Sequence, residues 1–195
     1  EPLQTISDGA FLEDDAEVKR VAENATNPIR KIAYQTPEYS VENGVTLLET
    51  PEGPMPIEVF GAHNLNNLAG AKWICQNMGV DEADFYEAIA TFKGASKRLE
   101  KIAETKTAVA YKDFAHSPSK VKATTEAVKA QYPNRKLVAC LELHTYSSLN
   151  AEFLKEYEGA LDAADVAVVF YSPDAVKVKQ LEEVTYDQIS AAFKR

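Results

Sequence analysis

Two near-continuous apolar runs, Leu-Val-Ala-Cys-Leu-Glu-Leu at 137–143 and Val-Ala-Val-Val-Phe-Tyr at 166–171, constrain the fold of this chain most. Neither alternates apolar with polar residues, and both are too short for a typical helix. They predict strands buried on both faces. A further short strand is expected over 107–111. Helical patterns separate and follow these strands: 119–131 with Val121, Thr125 and Val128 on one face, 149–161 with Phe153, Leu154 and Tyr157 inward, and 185–193. Strands alternating with helices imply right-handed crossovers. The expected class is α/β, with a Rossmann-like, mostly parallel sheet and flanking helices.

Upstream of residue 95 the rhythm differs. Asp14-Asp15 precedes a helical pattern carrying Val18, Val21 and Ala22 that ends before Pro28, and 29–34 reads as a short strand. Residues 39–41 and 45–49 flank Glu42-Asn43-Gly44, where Asn-Gly favours a tight hairpin turn. Pro51, Gly53, Pro54 and Pro56 punctuate a second turn before a strand at 57–60. This small β meander contains nothing that suggests chemistry. Two helices follow. Residues 61–67 open the first, with Leu68, Ala71, Cys75 and Met78 on its apolar face and Gly79 at its end. Asp81 begins the second, with Phe85, Ile89 and Phe92 as its buried stripe. Lys93-Gly94-Ala95-Ser96 breaks the pattern. The expected division is 1–94, meander plus two helices, and 95–195, the α/β sheet.

With 21 basic and 30 acidic residues among 195, the chain carries a net charge of −9 and no basic patch, so nucleic acid is not an expected partner. Cys75 and Cys140 lie in apolar patterns without the close spacing of zinc ligands. Buried, reduced thiols in a cytoplasmic protein are expected. No apolar run approaches the length of a membrane span, and the first residues lack a signal peptide's order. The opening at Glu1-Pro2-Leu3, without a methionine, suggests an excised fragment.

In open α/β sheets ligands collect beyond the carboxyl ends of the strands. At 107–118 an apolar run ends in Asp113, His116, Ser117 and Pro118, just where a helix begins. Asp113 suits hydrogen bonds from a ribose. Asp113, His116 and Ser117 also invite a hydrolytic reading, but triad members converge from separate elements, and Ser117-Pro118 reads well as a helix start. His144 and Ser147 occupy the loop after the next strand, where His144 suits donation to a substrate or is simply a loop residue. His63, His116 and His144 give no short-spaced ligand pair, and no metal site is predicted. Asn64 and Asn67 suit either the edge of an adenine or helix capping. Arg98 suits a phosphate or an exposed ion pair. Neither G-x-x-x-x-G-K-[ST] nor G-x-G-x-x-G occurs, so the phosphates of any bound nucleotide would be gripped outside this chain.

Three segments taken together resemble the Mur ligase family, ATP-dependent enzymes that build the peptide of bacterial cell-wall precursors. Gly61-Ala62-His63-Asn64-Leu65-Asn66-Asn67 resembles that family's G-x-H-N-x-x-N signature at the close of the central domain. Phe92-Lys93-Gly94 with Arg98-Leu99-Glu100 resembles its F-x-G-x-x-x-R-x-E hinge, and residues 113–118 its D-[YF]-[AG]-H-x-P motif. The likeness is greatest to the branch acting on UDP-N-acetylmuramate. The wording of 93–98 and of Leu141-Glu142-Leu143-His144 leans towards the member that attaches the murein tripeptide L-alanyl-γ-D-glutamyl-meso-diaminopimelate, with L-alanine as the other incoming substrate. The resemblance implies that 1–94 closes a central ATP-binding domain and 95–195 is a C-terminal domain. It implies adenine contacts from Asn64 and Asn67, a nucleotide contact from Arg98, ribose held by Asp113, and an orienting role for His116. It also implies ATP with Mg²⁺ as cofactors, an acyl-phosphate intermediate, and a phosphate loop preceding residue 1, so that this chain alone is inactive. Two departures stand out: Lys97 replaces the first arginine of a frequent Arg-Arg pair, and the loop 144–148 lacks a frequent arginine. The alternative is a non-catalytic α/β module that binds a nucleotide or another ligand.

Overall fold

In the computed structural model, which describes residues 8–26 and 28–194, the chain divides into the units Glu1–Phe92 and Lys93–Arg195. The first unit begins with an unexpected strand. β1 (Asp8–Leu12) runs parallel to β2 (Arg30–Tyr34), with α1 (Ala16–Asn24) between them. Asp15 caps α1 by accepting from the N–H groups of Glu17 and Val18. Val18 and Val21 are nevertheless exposed, so cap and local propensity define this helix rather than burial.

β3 (Tyr39–Glu42), β4 (Val45–Thr50) and β5 (Gly53–Ile57) form an antiparallel meander. Asn43 and Gly44 take φ of 51° and 79°, the left-handed pair that a two-residue hairpin turn needs. β5 starts earlier than the expected 57–60 strand and contains Pro54 and Pro56. These alternate along an edge strand, so both missing N–H groups face away from β4. α2 (Ala62–Asn77) and α3 (Glu82–Ala90) bury Leu65, Leu68 and Phe85 against Leu48 and Ile57. Met78 and Phe92, expected inside, are 79% and 46% exposed because each lies beyond its helix's last turn.

In the second unit β6 (Glu100–Glu104) pairs antiparallel with β7 (Val109–Lys112), with a register irregularity between Lys101 and Ala103. α4 (Pro118–Gln131) leads to β8 (Val138–Glu142), which runs parallel to β9 (Val166–Phe170). The expected helix over 149–161 is shorter. α5 (Ala151–Leu154) tightens into a 3-10 turn at Lys155–Tyr157, and the chain then turns through Gly159 at φ 74°. α6 (Pro173–Val178) and α7 (Tyr186–Phe193) follow, the latter opened by a capping box between Thr185 and Gln188.

Tyr157, Leu154, Leu149, Leu143 and Phe193 form the centre of this unit's core. They cover one face of the β8–β9 pair. The other face is open: Val138 is 55% and Phe170 50% exposed, and Cys140 between them is exposed as well. The run at 137–143 is therefore not buried on both faces among the described residues, and only Cys75 of the two free thiols is half-buried. β7 forms no ladder with β8. A cavity of about 350 Å³, lined by Val109, Tyr111, Val138 and Leu141 with Thr125 and Val128 of α4, lies between them. The result is a mixed α/β fold with parallel strand pairs and flanking helices.

Leu154 is fully buried while Val178 is exposed. Leu154→Ala should lower unfolding free energy by about 2–5 kcal/mol and Val178→Ala by less than about 0.5 kcal/mol in urea titrations. Asp165 secures the entry to β8, its Oδ2 accepting from the Leu137 N–H at 2.7 Å and from Lys129 Nζ at 2.9 Å. These bonds, the backbone one foremost, hold its carboxyl below the ordinary value of 3.8. A depressed carboxyl pKa stabilises the fold above the unfolded value, and the contribution is lost as pH falls through the folded value. The urea midpoint should drop on acidification below about pH 4, less steeply in Asp165→Asn.

Candidate functional site

The polar groups of the second unit are arranged around the end of β7. Asp113 follows that strand, and its carboxylate accepts two backbone N–H groups: Leu99 on Oδ2 at 2.7 Å and Ala115 on Oδ1 at 2.6 Å. The Phe114 N–H donates to the Lys97 carbonyl at 2.9 Å. Asp113 thereby ties the strand end to a sharply turned segment in which Gly94, Lys97 and Leu99 have φ of 90°, 57° and 47°. A left-handed backbone at a residue other than glycine costs on the order of 1–3 kcal/mol and persists only where neighbours enforce it. Glu100 supplies the second support, its Oε2 accepting from the Lys97 N–H at 2.8 Å and the Ser96 hydroxyl at 3.0 Å. Those bonds hold the Glu100 carboxyl below its ordinary range. Leu99 is buried, whereas Arg98, between the two left-handed residues, is exposed.

His116 Nδ1 lies 2.8 Å from the Phe114 carbonyl. A carbonyl only accepts, so Nδ1 carries the hydrogen and Nε2 keeps its lone pair in the neutral ring. The His116 carbonyl in turn accepts from the hydroxyl of the buried Tyr157. Ser117 is the N-cap of α4 with extended dihedrals (φ −90°, ψ 151°) and Pro118 in the first turn, but its hydroxyl makes no capping bond. The hydrolytic arrangement is not assembled: backbone N–H groups hold the Asp113 carboxylate, and a backbone carbonyl engages His116 Nδ1.

The loops after β7 and β8 converge. The His144 ring centroid is 5.8 Å from that of His116, and Phe114 stands 5.0 Å from His116 and 6.3 Å from His144. His144 Nδ1 faces the Glu142 carbonyl at 3.3 Å, so both imidazoles have Nδ1 engaged locally. Reciprocal bonds close the loop behind His144: the Thr145 N–H donates to Ser148 Oγ, and the Ser148 N–H to Thr145 Oγ1, each at 3.0 Å. Ser148 is buried and Ser147 exposed. Lys179 Nζ lies 4.2 Å from the centroid of the Tyr146 ring. Sequence reasoning finds Tyr157 only as a core residue and Glu100 only as part of the hinge wording, and it passes over Lys179. The x-E of the hinge wording was the one available signal, for Glu100.

In the first unit, Gly61 with φ 86° is the N-cap of α2, and neither asparagine caps it. Asn64 Nδ2 donates to the Phe60 carbonyl at 2.9 Å, which leaves Oδ1 and one N–H as an acceptor–donor pair. Asn67 is exposed. Among the described residues no group of three or more His, Cys, Asp or Glu is arranged to hold a metal ion, and no helix is long and apolar enough to cross a membrane. Tyr157→Phe removes the donor to the His116 carbonyl. It should cost about 0.5–1.5 kcal/mol and speed amide exchange across 114–117, as read by hydrogen–deuterium exchange.

No family model matches the chain. The UDP-N-acetylmuramate–L-alanine ligase of Lactococcus lactis subsp. cremoris (strain MG1363) is 30% identical over 140 residues, 71% of this chain and 31% of the relative. The ligase of that name from Gloeothece citriformis is 30% identical over 179 residues, 87% of this chain and 35% of the relative. The chain thus spans about a third of the length of these curated relatives. Among solved structures, the UDP-N-acetylmuramate–alanine ligase of Thermotoga maritima shares the fold with a TM-score of 0.62 at 19% identity, over 84% of this chain and 37% of that one. The motifs at 61–67, 92–100 and 113–118, the α/β fold and this sequence similarity agree: the chain belongs to the Mur ligase family.

Proposed function

We propose that this chain forms part of an ATP-dependent ligase that joins an amino acid or peptide to UDP-N-acetylmuramate, with residues 1–94 closing the central domain and 95–195 forming the C-terminal domain. The observation that carries this reading is the convergence of His116 and His144 beside Asp113 at the ends of two strands. In this reading Asn64 and Asn67 meet the adenine edge, Arg98 meets the phosphates, and Asp113 accepts from the ribose. Each Asp113 oxygen holds one backbone N–H and has lone-pair capacity for a further donor. His116 orients the nucleotide or the incoming substrate, and His144 with Ser147 contacts that substrate.

In the reaction a muramoyl carboxylate oxygen attacks the γ-phosphorus and ADP leaves. The incoming amine then attacks the acyl carbon, phosphate departs, and the amine loses a proton. Positive charge near the transferring phosphoryl group stabilises the transition state, and Arg98 is the residue of this chain assigned to that work. The Mg²⁺ that the family uses would be held by one or two carboxylates with the substrate phosphates and water, and most of its protein ligands are assigned outside this chain. Both reported relatives are named as L-alanine ligases. That favours L-alanine over the tripeptide towards which the wording of 93–98 and 141–144 leans. ATP supply places the reaction in the cytoplasm.

The test is phosphate release by the full-length protein containing this segment, given ATP and UDP-N-acetylmuramate with L-alanine or tripeptide. Release that requires one of the two amines supports the reading, and none with either sinks it. Asp113→Ala should reduce release at limiting ATP by about tenfold or more, whereas Ser117→Ala should leave it within about twofold. The 195-residue chain itself carries no phosphate-loop sequence and should bind ATP more weakly than micromolar in calorimetry.

A further inference from the structure

The segment preceding β6 spends two carboxylates on backbone geometry rather than on charge pairing. Asp113 holds the amide of Leu99 and Glu100 holds the amide of Lys97. These are the two residues other than glycine in this segment with left-handed φ, and Arg98 lies between them. Glu100 also takes the Ser96 hydroxyl, which fixes the turn one residue further back. Its own base is rigid, since Glu100 begins β6 in register with Lys112 of β7. An acid two residues from Arg98 would be its obvious ion-pair partner. Instead an N–H and an O–H occupy Glu100 Oε2, and Arg98 forms no ion pair among those of the described residues. Leu99, between the two in sequence, is buried while Arg98 is exposed, and the guanidinium remains available as a five-donor fork.

We propose that Glu100 is a positioning residue: it fixes the left-handed turn that holds the Arg98 guanidinium ready for a polyphosphate, and so acts on the ligand through Arg98. This rests on Arg98 being a nucleotide contact. Flexible presentation would spend ligand affinity on ordering both the turn and the long side chain, and a preset turn removes most of that cost. The carboxylate's acceptor oxygen matters here more than its charge, so an amide of the same length should substitute for it.

The test is a double-mutant cycle on the full-length protein, reading ATP affinity by calorimetry and Lys97 amide exchange by mass spectrometry or NMR. Glu100→Ala should weaken ATP binding by roughly tenfold, as Arg98→Ala does, and the double variant should be no weaker than Arg98→Ala alone. Glu100→Gln should retain most of the affinity. Lys97 exchange should quicken in Glu100→Ala and stay unchanged in Arg98→Ala. Independent, multiplying effects in the double variant overturn the proposal, as does unchanged ATP affinity in Glu100→Ala where Arg98→Ala weakens it. An Arg98→Ala variant that binds ATP normally removes the nucleotide reading of Arg98 and this proposal with it. Lys97 exchange still tells that outcome apart from a turn that never depended on Glu100. Should Glu100→Ala fail to fold, Glu100→Asp, which shortens the reach by one methylene, takes its place with the same expectations.

Discussion

The strand-end region of the second unit depends on one carboxylate with two backbone donors. Asp113 accepts from Leu99 on one oxygen and from Ala115 on the other, so it fixes both the turn that carries Arg98 and the loop that carries His116. An asparagine is not equivalent there. Its single carbonyl oxygen would satisfy one N–H, and its NH₂ group would face the other donor to donor. A glutamate would place the carboxylate one methylene further from the backbone it has to grip. The chemistry suited to a bound hydroxyl is therefore also the chemistry that this backbone demands, and replacing Asp113 disturbs both.

A packed interior extends up to the site from below. Tyr157 belongs to the core around Leu143, Leu149 and Leu154, yet its hydroxyl reaches the carbonyl of His116. A buried phenol needs a partner, and it finds one in a loop that would otherwise show an unpaired carbonyl. The adjacent loop closes on itself through Thr145 and Ser148. With backbone groups satisfied internally and both Nδ1 atoms facing carbonyls, His116 and His144 keep their Nε2 atoms for something else.

Where an element carries its own local chemistry, the sequence reveals it. Asn43-Gly44 announces the hairpin, Thr185 with Gln188 announces α7, and the strand-end rule finds Asp113, His116 and His144. Elements defined by their neighbours stay hidden. β6 reads Glu-Lys-Ile-Ala-Glu and is a strand because β7 pairs with it. β5 is obscured by Pro54 and Pro56, which only an edge strand tolerates. The run at 137–143 cannot say that Val138 and Cys140 lie on an open face, because an apolar strand has the same composition whether one face is covered or two. Glu100 escaped for a different reason: its importance lies in the φ angles of Lys97 and Leu99, and composition does not encode them.

The two departures from the family wording gain a physical reading from this geometry. At Lys97 both backbone groups belong to the turn, the N–H on Glu100 and the carbonyl on Phe114. The position's structural role is independent of its side chain, so a lysine there forfeits a bidentate fork but none of the turn that presents Arg98. In the loop 144–148, Ser148 is buried and its hydroxyl is engaged with Thr145, so that position serves the loop's own closure. A positive charge nevertheless reaches that loop from beyond α6, where the Lys179 ammonium sits over the Tyr146 ring. At Lys97 the turn is held through the backbone whatever the side chain, and at the second loop a cation reaches Tyr146 from a different element.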